Sequence, residues 1–236
     1  MANVQELKQY RNIHLIGIGG TSMSGIAQIL KHWGYNVTGS DANASDNTEK
    51  LINSKIYVTI GSDPSILNNV DLVIYSAAIH DTDPELSRAR ELGIPTIERG
   101  PFLGQLTHSF RNTISISGTH GKSTTSAMVS MCFIEAKQDP TIQIGANIPA
   151  INGNYRLGNS ENFIIESCEY ADSFLSFAPK AEIILNIDND HLDYFKNLDN
   201  IKAAFVKFVK LLPDDGILVY NADDENCSHI SKNTKA

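Results

Sequence analysis

Short apolar runs alternate along this chain with segments of helical periodicity, and clusters of Gly, Ser, Asn and Asp separate them. The apolar runs that predict strands are residues 12–18, 35–39, 56–60, 71–75, 96–97, 113–117, 140–144, 162–165, 182–185 and 216–220. Helical periodicity covers residues 23–31, 84–92, 101–110 and 200–212, and it begins again at Thr125. Repeated β-α units predict an α/β fold, with mostly parallel sheets covered by helices on both faces.

A short junction at residues 109–112 interrupts this alternation. It follows a predicted helix, and a new strand, loop and helix begin directly after it. A chain of 236 residues is long enough for one or two domains. With the boundary near Arg111, we predict a Rossmann-like domain over residues 1–110 and a P-loop ATPase-like α/β domain over residues 111–236.

The junction leads into the stretch with the strongest chemical signal. A strand is followed by the loop GTHGKST and then by a helix, on which Ala127, Met128, Met131 and Cys132 share one face. Strand, glycine loop and helix are the layout of a phosphate-binding loop. The candidate nucleotide-binding residues are Gly118, Thr119, His120, Gly121, Lys122, Ser123 and Thr124.

The polar groups of this loop have predicted roles. Backbone N–H groups of the loop and of the helix N-terminus point at one spot and favour an anion there. Lys122 would reach the terminal phosphates of a nucleotide, and Ser123 would place its hydroxyl on Mg²⁺. The loop is shorter than usual, because Ile116 stands where its first glycine is expected. An ordinary strand-to-helix turn that contains Gly-Lys-Ser is the alternative.

The first β-α-β unit also carries a glycine turn after its first strand. Its acidic residue, at the end of the second strand, lies close to the spacing of a dinucleotide site, but Ser22 replaces the third glycine. We therefore favour a turn that holds another pyrophosphate at the helix N-terminus over an NAD site. Glycines used only for tight packing remain an alternative. Because ligands bind at the carboxyl ends of parallel strands, one cleft is expected to contain Gly17, Gly19, Gly20, Ser40, Asp41 and Ser76.

Two polar clusters follow apolar strands in the second predicted domain. Glu166 ends one strand, with Glu169 three residues on, and His191 follows another strand between Asp190 and Asp193. Parallel strands would bring these groups to the sheet edge that carries the phosphate loop. We predict that Glu166 is a carboxylate ligand of Mg²⁺ and that His191 acts near metal or phosphate. A solvated strand-end acid and a structural histidine are the alternatives.

The composition narrows the class of protein. The chain is 42% hydrophobic and 19% charged, with a net charge of −8 and no stripe of Lys or Arg, so neither nucleic acid nor an anionic membrane is an expected partner. Three widely spaced cysteines without a CxxC pair argue against disulfides and zinc, and they fit a reducing cytoplasm. No signal-peptide core or membrane-length apolar run is visible. We expect a cytoplasmic protein.

These residues together predict an Mg²⁺-dependent nucleotide enzyme with an additional α/β ligand domain. They leave open whether the phosphoryl group goes to water, a hydroxyl or a carboxylate. A protein kinase is disfavoured because its HRD-type motif is missing. A regulatory GTPase remains possible, although no NKxD-like motif is visible.

Five motifs resemble those of the Mur ligases. They are HLIGIGGTSMSGIA near the N-terminus, YSAAI at residues 75–79, GTHGKSTT, ESCEYADSF at residues 166–174 and NIDNDHLDYF at residues 186–195. The resemblance runs from Ile13 to about Asp224, and the motifs are specific in combination and in order. The GIGGxxMSGIA pattern and the His of GTHGK point to the alanine-adding members.

The resemblance implies an ATP-dependent ligase of peptidoglycan biosynthesis. In that reaction the carboxylate of UDP-N-acetylmuramate attacks the γ-phosphate of ATP, and L-alanine then displaces phosphate from the acyl phosphate to form an amide. Lys122 would stabilise the transferring phosphoryl group, Ser123 and Glu166 would hold Mg²⁺, and His191 would assist at a second Mg²⁺. The cleft around residues 17–20 would hold the UDP-sugar.

The resemblance also has departures. Ser123 replaces the commoner Thr and keeps the hydroxyl, while Cys168 stands where Asp is frequent. The family has a further part of the central domain and a C-terminal domain, and this chain ends before both. We therefore expect the 236-residue chain to bind UDP-N-acetylmuramate without ligating alanine. A murein-tripeptide recycling ligase and a non-catalytic UDP-sugar-binding protein are the alternatives.

Overall fold

The computed structural model describes residues 7–236, which form two compact units with one sheet each. The first unit ends at Leu103 and the second begins at Gly104. This division lies before the boundary expected near Arg111. Thr107 lies before the expected boundary but is bonded to the second unit. Its carbonyl accepts a hydrogen bond from the Thr113 hydroxyl at 3.0 Å, and its own hydroxyl accepts one from the Ala178 N–H at 2.9 Å.

The first unit is an alternation of strands and helices. Its elements are β1 (Asn12–Ile16), α1 (Thr21–His32), β2 (Asn36–Asp41), α2 (Asp46–Asn53), β3 (Tyr57–Ile60), β4 (Leu72–Tyr75), α3 (Pro84–Glu91) and β5 (Thr96–Glu98). The next helix, α4 (Arg99–Thr107), contains the division between the two units. Short 3-10 helices cover Leu7–Gln9 and Pro64–Asn69. The strands lie in the order β3-β2-β1-β4-β5, and these neighbours pair in parallel.

α2 was not predicted from the sequence because its surface is polar. It buries only a narrow strip that includes Thr48 and Leu51. A capping box fixes its start, in which the Ser45 hydroxyl accepts from the Thr48 N–H and the Thr48 hydroxyl accepts from the Ser45 N–H. Such reciprocal caps satisfy amide groups that have no partner within the helix.

The second unit has a larger sheet. Its elements are β6 (Asn112–Ser117), α5 (Lys122–Glu135), β7 (Thr141–Ile148), β8 (Gly153–Arg156), β9 (Asn162–Glu166), β10 (Ala181–Ile184), α6 (Leu192–Phe195), α7 (Leu198–Val209), β11 (Ile217–Tyr220) and α8 (Glu225–Ile230). Short 3-10 helices cover Pro149–Ile151, Tyr170–Ser176 and Ser231–Asn233. The strand order is β11-β10-β6-β9-β7-β8, in which β8 pairs antiparallel with β7 and the other neighbours pair in parallel.

The two faces of this sheet pack against different helices. On one face, α7 buries Phe205 and Phe208, and the Phe208 ring stacks on Phe174 at 4.3 Å between centroids. On the other face, α5 lies against an isoleucine cluster. Met128 and Cys132, which the helical pattern placed on the apolar face of α5, are exposed. The buried residues of the helix are Ser126 and Ser130 instead.

The observed architecture confirms the predicted α/β class with mostly parallel sheets. The glycine-flanked stretch at residues 153–158, which has the composition of a loop, contains β8. Asn152, in the left-handed conformation with φ of 52°, reverses the chain there and lets β8 return along β7. Among residues 7–236, no helix is both long and apolar enough to cross a membrane.

Candidate functional site

The loop between β6 and α5 needs glycine at two positions. Gly118 has a φ of 138° and Gly121 a φ of 85°, which side chains other than glycine rarely tolerate. A Cβ on Gly118 would also lie 3.1 Å from the backbone oxygen of Asn186. α5 begins at Lys122, directly after the loop. The amide groups of its first turn are therefore available to an anion.

The chain after β10 holds this loop in place. The Thr119 N–H donates to the carbonyl of Asn186 at 3.0 Å. The Thr119 hydroxyl accepts from the Asp188 N–H at 2.8 Å and donates to the Asp188 carbonyl at 3.3 Å. The side-chain amide of Asn186 bonds to the backbone of His120. The loop conformation therefore depends on residues far away in the sequence.

Lys122 turns back over its own loop. Its Nζ donates to the carbonyls of Gly118 at 2.6 Å and Thr119 at 3.1 Å, and it pairs with Glu169 at 3.2 Å. The Lys122 side chain is 14% exposed and that of Glu169 is 2% exposed. Charges in such a sheltered position interact more strongly than on the open surface. Lys122 is thus held as a fixed cation beside the loop amides.

Ser123 and Glu166 form a second polar pair at the same sheet edge. The Ser123 hydroxyl lies 3.0 Å from each carboxylate oxygen of Glu166. The Gly145 N–H donates to Glu166 Oε2 at 2.7 Å, and a Cβ at Gly145 would stand 3.2 Å from the carboxylate oxygens. A hydroxyl beside a carboxylate is the kind of oxygen donor set that Mg²⁺ prefers.

Glu169, Asp190 and His191 form a cluster whose ligand atoms all lie within 4.8 Å of one another. Glu169 is buried, while Asp190 and His191 are half-buried. His191 Nε2 is 3.8 Å from Asp190 Oδ2, and the His191 N–H donates to Asp190 Oδ1 at 2.7 Å. Two carboxylates and an imidazole suit a divalent cation such as Mg²⁺ or Mn²⁺.

The structure therefore divides the predicted metal ligands into two groups. Ser123 and Glu166 contact each other, and His191 lies in the other cluster with Asp190. Glu169 belongs to both neighbourhoods, because it pairs with Lys122 and also faces His191. The sequence reasoning mentioned Glu169 without assigning it a role. The signal available in the sequence was its position three residues after Glu166, the glutamate that ends β9.

The glycine turn of the first unit lies at a cleft of about 600 Å³. Five of the six residues expected to share a cleft line it, namely Gly17, Gly20, Ser40, Asp41 and Ser76. The sixth, Gly19, donates its N–H to Asp41 Oδ2 at 2.8 Å. A Cβ at Gly19 would come within 2.9 Å of that oxygen, so the close approach requires glycine.

A buried polar network that the sequence reasoning missed forms part of the wall of this cleft, which Ser40 and Glu85 line. Glu85 is 1% exposed and accepts hydrogen bonds from the Ser40 hydroxyl, from the Asp63 N–H at 2.7 Å and from His14 Nε2 at 3.3 Å. The other ring nitrogen of His14 lies 2.9 Å from the Thr38 hydroxyl. Burial alone would raise the pKa of Glu85, but its hydrogen bonds to His14, Ser40 and Asp63 outweigh burial and lower the pKa.

Known proteins resemble both units of this chain. The family model described as Mur ligase family, catalytic domain, matches residues 12–111, and the Mur ligase middle domain matches residues 116–236. The UDP-N-acetylmuramate–L-alanine ligase of Clostridium novyi is 50% identical over 222 residues, which are 94% of this chain and 48% of that protein.

Solved structures give the same relationship. The UDP-N-acetylmuramate-alanine ligase MurC of Thermotoga maritima matches with a TM-score of 0.85 and 31% identity, over 94% of this chain and 51% of that one. The UDP-N-acetylmuramate:L-alanyl-gamma-D-glutamyl-meso-diaminopimelate ligase of Neisseria meningitides matches with a TM-score of 0.85 and 26% identity, over 96% of this chain and 76% of that one. The chain spans about half the length of the curated relatives it matches. Since the middle-domain model alone matches more than half of its residues, the chain belongs to the Mur ligase family.

Proposed function

We propose that this chain carries the UDP-sugar-binding and ATP-binding units of a UDP-N-acetylmuramate–L-alanine ligase of peptidoglycan synthesis. The observation that carries the proposal is the edge of the second sheet, where Lys122 and Ser123 of a phosphate loop meet Glu169 and Glu166. Relatives named as UDP-N-acetylmuramate–alanine ligases, at 50% and 31% identity, support the choice of these two substrates.

The ATP-binding role is assigned to the loop and its neighbours. The loop of Gly118 to Thr124 would surround the phosphates with amides of the first turn of α5 directed at them, and Lys122 would neutralise charge on the transferring phosphoryl group. Ser123 and Glu166 would hold one Mg²⁺, and Glu169, Asp190 and His191 would hold a second. Bound Mg²⁺ would neutralise phosphate charge and act as a Lewis acid.

Lys122 supports this assignment through its position. Its ammonium is anchored by two loop carbonyls and one carboxylate, which hold the positive charge at the loop. Such fixed charge is the main way in which phosphoryl-transfer enzymes lower the barrier. The acceptor in this proposal is the carboxylate of UDP-N-acetylmuramate, and the resulting acyl phosphate is the species that the amine of L-alanine attacks.

The UDP-sugar role is assigned to the cleft of the first unit. The turn at residues 17–20 lies where α1 begins, and the positive end of a helix favours a pyrophosphate. Gly17 and Ile18 N–H groups donate to the Ser40 carbonyl, which fixes the turn. Ser76 would donate its hydroxyl to the UDP-sugar from the opposite side of the turn. It lies close to Gly17, since a Cβ added at Gly17 would stand 3.1 Å from the Ser76 Cβ.

Calorimetric titration of the 236-residue chain tests both assignments. Lys122→Ala is expected to weaken Mg²⁺-ADP binding at least tenfold, because it removes a sheltered charge, and to leave UDP-N-acetylmuramate binding unchanged. Lys207→Ala, an exposed lysine on α7, is the matched control. Loss of UDP-N-acetylmuramate binding in Lys122→Ala would contradict the division of roles between the units.

A second titration separates the proposal from its nearest alternative. The Neisseria meningitides protein is named for a tripeptide in place of L-alanine and matches with the same TM-score as the alanine ligase. The proposal predicts that UDP-N-acetylmuramate binds at the first unit. Both reactions use UDP-N-acetylmuramate, so they differ only in the amine that is joined to it. Binding of the free tripeptide L-alanyl-γ-D-glutamyl-meso-diaminopimelate in the presence of UDP-N-acetylmuramate, with no binding of L-alanine, would favour the recycling reaction instead.

A further inference from the structure

Two loops of the second unit are joined by a reciprocal pair of hydrogen bonds. One loop follows β9 and includes the 3-10 helix that begins at Tyr170 and contains Asp172, and the other follows β10 and includes α6, which contains Asp193 and Tyr194. The Tyr170 hydroxyl donates to Asp193 Oδ2 at 3.2 Å, and the Tyr194 hydroxyl donates to Asp172 Oδ2 at 3.0 Å. Each loop thus gives one tyrosine and one aspartate to an arrangement that we term the Tyr-Asp clasp.

The clasp lies directly against the candidate cation cluster. The Tyr170 ring packs on the His191 ring with 4.8 Å between centroids, and it lies 5.8 Å from the Tyr194 ring. Glu169 precedes Tyr170 in the chain, so both loops that the clasp joins carry a member of the cluster. Phe195, the neighbour of Tyr194, is buried in the core and anchors one end of the clasp.

The backbone around the clasp is strained. Ala171, Asp172 and His191 have φ values of 53°, 56° and 50°, in the left-handed region that costs free energy for residues other than glycine. Residues stay in this region only where their surroundings hold them, and such strain is concentrated at functional sites. The strained positions include a clasp aspartate and the histidine of the cluster.

The clasp contributes little to the hydrophobic core. Tyr170 is 43% exposed and Tyr194 is 40% exposed. Hydrogen bonds between such exposed groups add little to folding, because water competes for the same donors and acceptors. The effect of the clasp is therefore on geometry, since it sets the distance between the loops that carry Glu169 and His191.

We propose that Tyr170 and Tyr194 are positioning residues that hold Glu169 and His191 at the spacing needed to share one divalent cation. This inference rests on the proposed function, in which Glu169, Asp190 and His191 hold that cation. Outer groups that orient metal ligands commonly change metal affinity 10- to 100-fold when they are removed. Tyrosine hydroxyls are suited to a test, because Tyr→Phe removes them without changing the charge.

The experiment is a titration of the 236-residue chain with Mn²⁺ alone, followed by electron paramagnetic resonance. His191→Ala identifies the part of the bound Mn²⁺ that belongs to this cluster. Tyr170→Phe/Tyr194→Phe is expected to weaken that part about tenfold, at the lower end of the range for outer groups. Each single variant keeps one hydrogen bond of the clasp, so its loss should be intermediate. Tyr57→Phe, on the exposed edge strand β3, is the matched control.

Unfolding temperatures in EDTA separate positioning from a structural role. A lower unfolding temperature of the double variant with wild-type Mn²⁺ affinity would overturn the inference while leaving the cation site intact. Equal Mn²⁺ binding by His191→Ala and the wild type would instead overturn the proposed cation site, and the inference with it. Weakened Mn²⁺ binding by a double variant that remains folded, as judged by its circular dichroism, supports the inference.

Discussion

The side-chain amide of Asn186 forms two hydrogen bonds with the backbone of His120. Its Oδ1 accepts from the His120 N–H at 2.8 Å, and its Nδ2 donates to the His120 carbonyl at 3.0 Å. The residue that follows β10 therefore shapes the loop that follows β6. A phosphate loop works only if its amides already point at one place, so this contact is part of the proposed nucleotide site.

Asn186→Ala is expected to weaken the binding of Mg²⁺-ADP. The variant loses two hydrogen bonds, worth about 1 kcal/mol each, and the loop can then adopt conformations that do not bind phosphate. Since 1.4 kcal/mol corresponds to a tenfold change, the dissociation constant should rise about 10- to 30-fold. Calorimetric titration measures it. Asn36→Ala, which removes an exposed side-chain hydrogen bond in the first unit, is the control. An unchanged affinity for Mg²⁺-ADP in folded Asn186→Ala would show that the loop is ordered without these two hydrogen bonds.

Ser123 provides a comparison between two substitutions. Ser123→Thr keeps the hydroxyl that faces Glu166, whereas Ser123→Ala removes it. If the hydroxyl is an Mg²⁺ ligand, Ser123→Ala should weaken ADP binding at least tenfold in the presence of Mg²⁺ and little in EDTA, while Ser123→Thr stays near wild type. The ratio of dissociation constants with and without Mg²⁺ is the measurement. Equal losses under both conditions would mean that the hydroxyl binds the nucleotide directly.

Local sequence patterns predicted the order of elements and the loop at residues 118–124. The alternation of short apolar runs with helical segments is a property of neighbouring residues, and so is the succession of strand, glycines and helix. Glycine at Gly118 and Gly121 is required by positive φ values, which explains why this motif is readable from the sequence. The same reasoning placed five cleft residues of the first unit together.

Contacts between distant segments could not be predicted in this way. Glu85 is on α3, yet it bonds to Ser40 on β2 and His14 on β1. The role of Glu169 depends on how β9 and β10 lie beside β6, which fixes its distance to Lys122. Asp193, two residues from His191 in the sequence, accepts a hydrogen bond from Tyr170, and the Tyr170 ring packs on His191. Such partners follow from strand order rather than from spacing along the chain.

The Glu85 network predicts a loss of stability of the first unit in acid. The folded state holds the pKa of Glu85 below its usual value of 4.5, so the unfolded chain takes up the proton first as the pH falls. The stabilisation is therefore complete above about pH 4.5 and is lost as the pH drops through the folded pKa. Glu85→Gln should be less stable than wild type at pH 7 and should show a flatter decline below pH 5.

Urea unfolding between pH 3 and pH 7 tests this expectation. The chain has a single tryptophan, Trp33, which caps α1 in the first unit, so its fluorescence follows that unit. Glu49→Gln, an exposed glutamate of α2, is the control for a change of charge without a buried partner. Parallel pH profiles for wild type and Glu85→Gln would contradict the assignment of a lowered pKa.

Glu182 predicts the opposite pH dependence for the second unit. It is fully buried on β10, opposite Ser115 of β6, and neither of its carboxylate oxygens has a hydrogen-bond partner among the described residues. Burial raises the pKa of Glu182 from its usual 4.5 to about 9. Between these values the folded chain keeps a proton that the unfolded chain has released. Stability should therefore fall as the pH rises from about 4.5 to 9, by up to about 1.4 kcal/mol per pH unit.

Glu182→Gln removes this dependence, because the amide has nearly the same shape and does not ionise. The variant should gain stability over wild type progressively from pH 6 to pH 8.5, and urea unfolding followed by circular dichroism measures the gain. Trp33 fluorescence, recorded in parallel, should show no difference between the two proteins, because it follows the first unit. Glu135→Gln, at the exposed end of α5 in the same unit, should leave the wild-type slope unchanged. If the stability of Glu182→Gln fell with pH as steeply as that of the wild type, Glu182 would have to be ionised and paired in the folded chain. That result would contradict the description of Glu182 as buried without a partner.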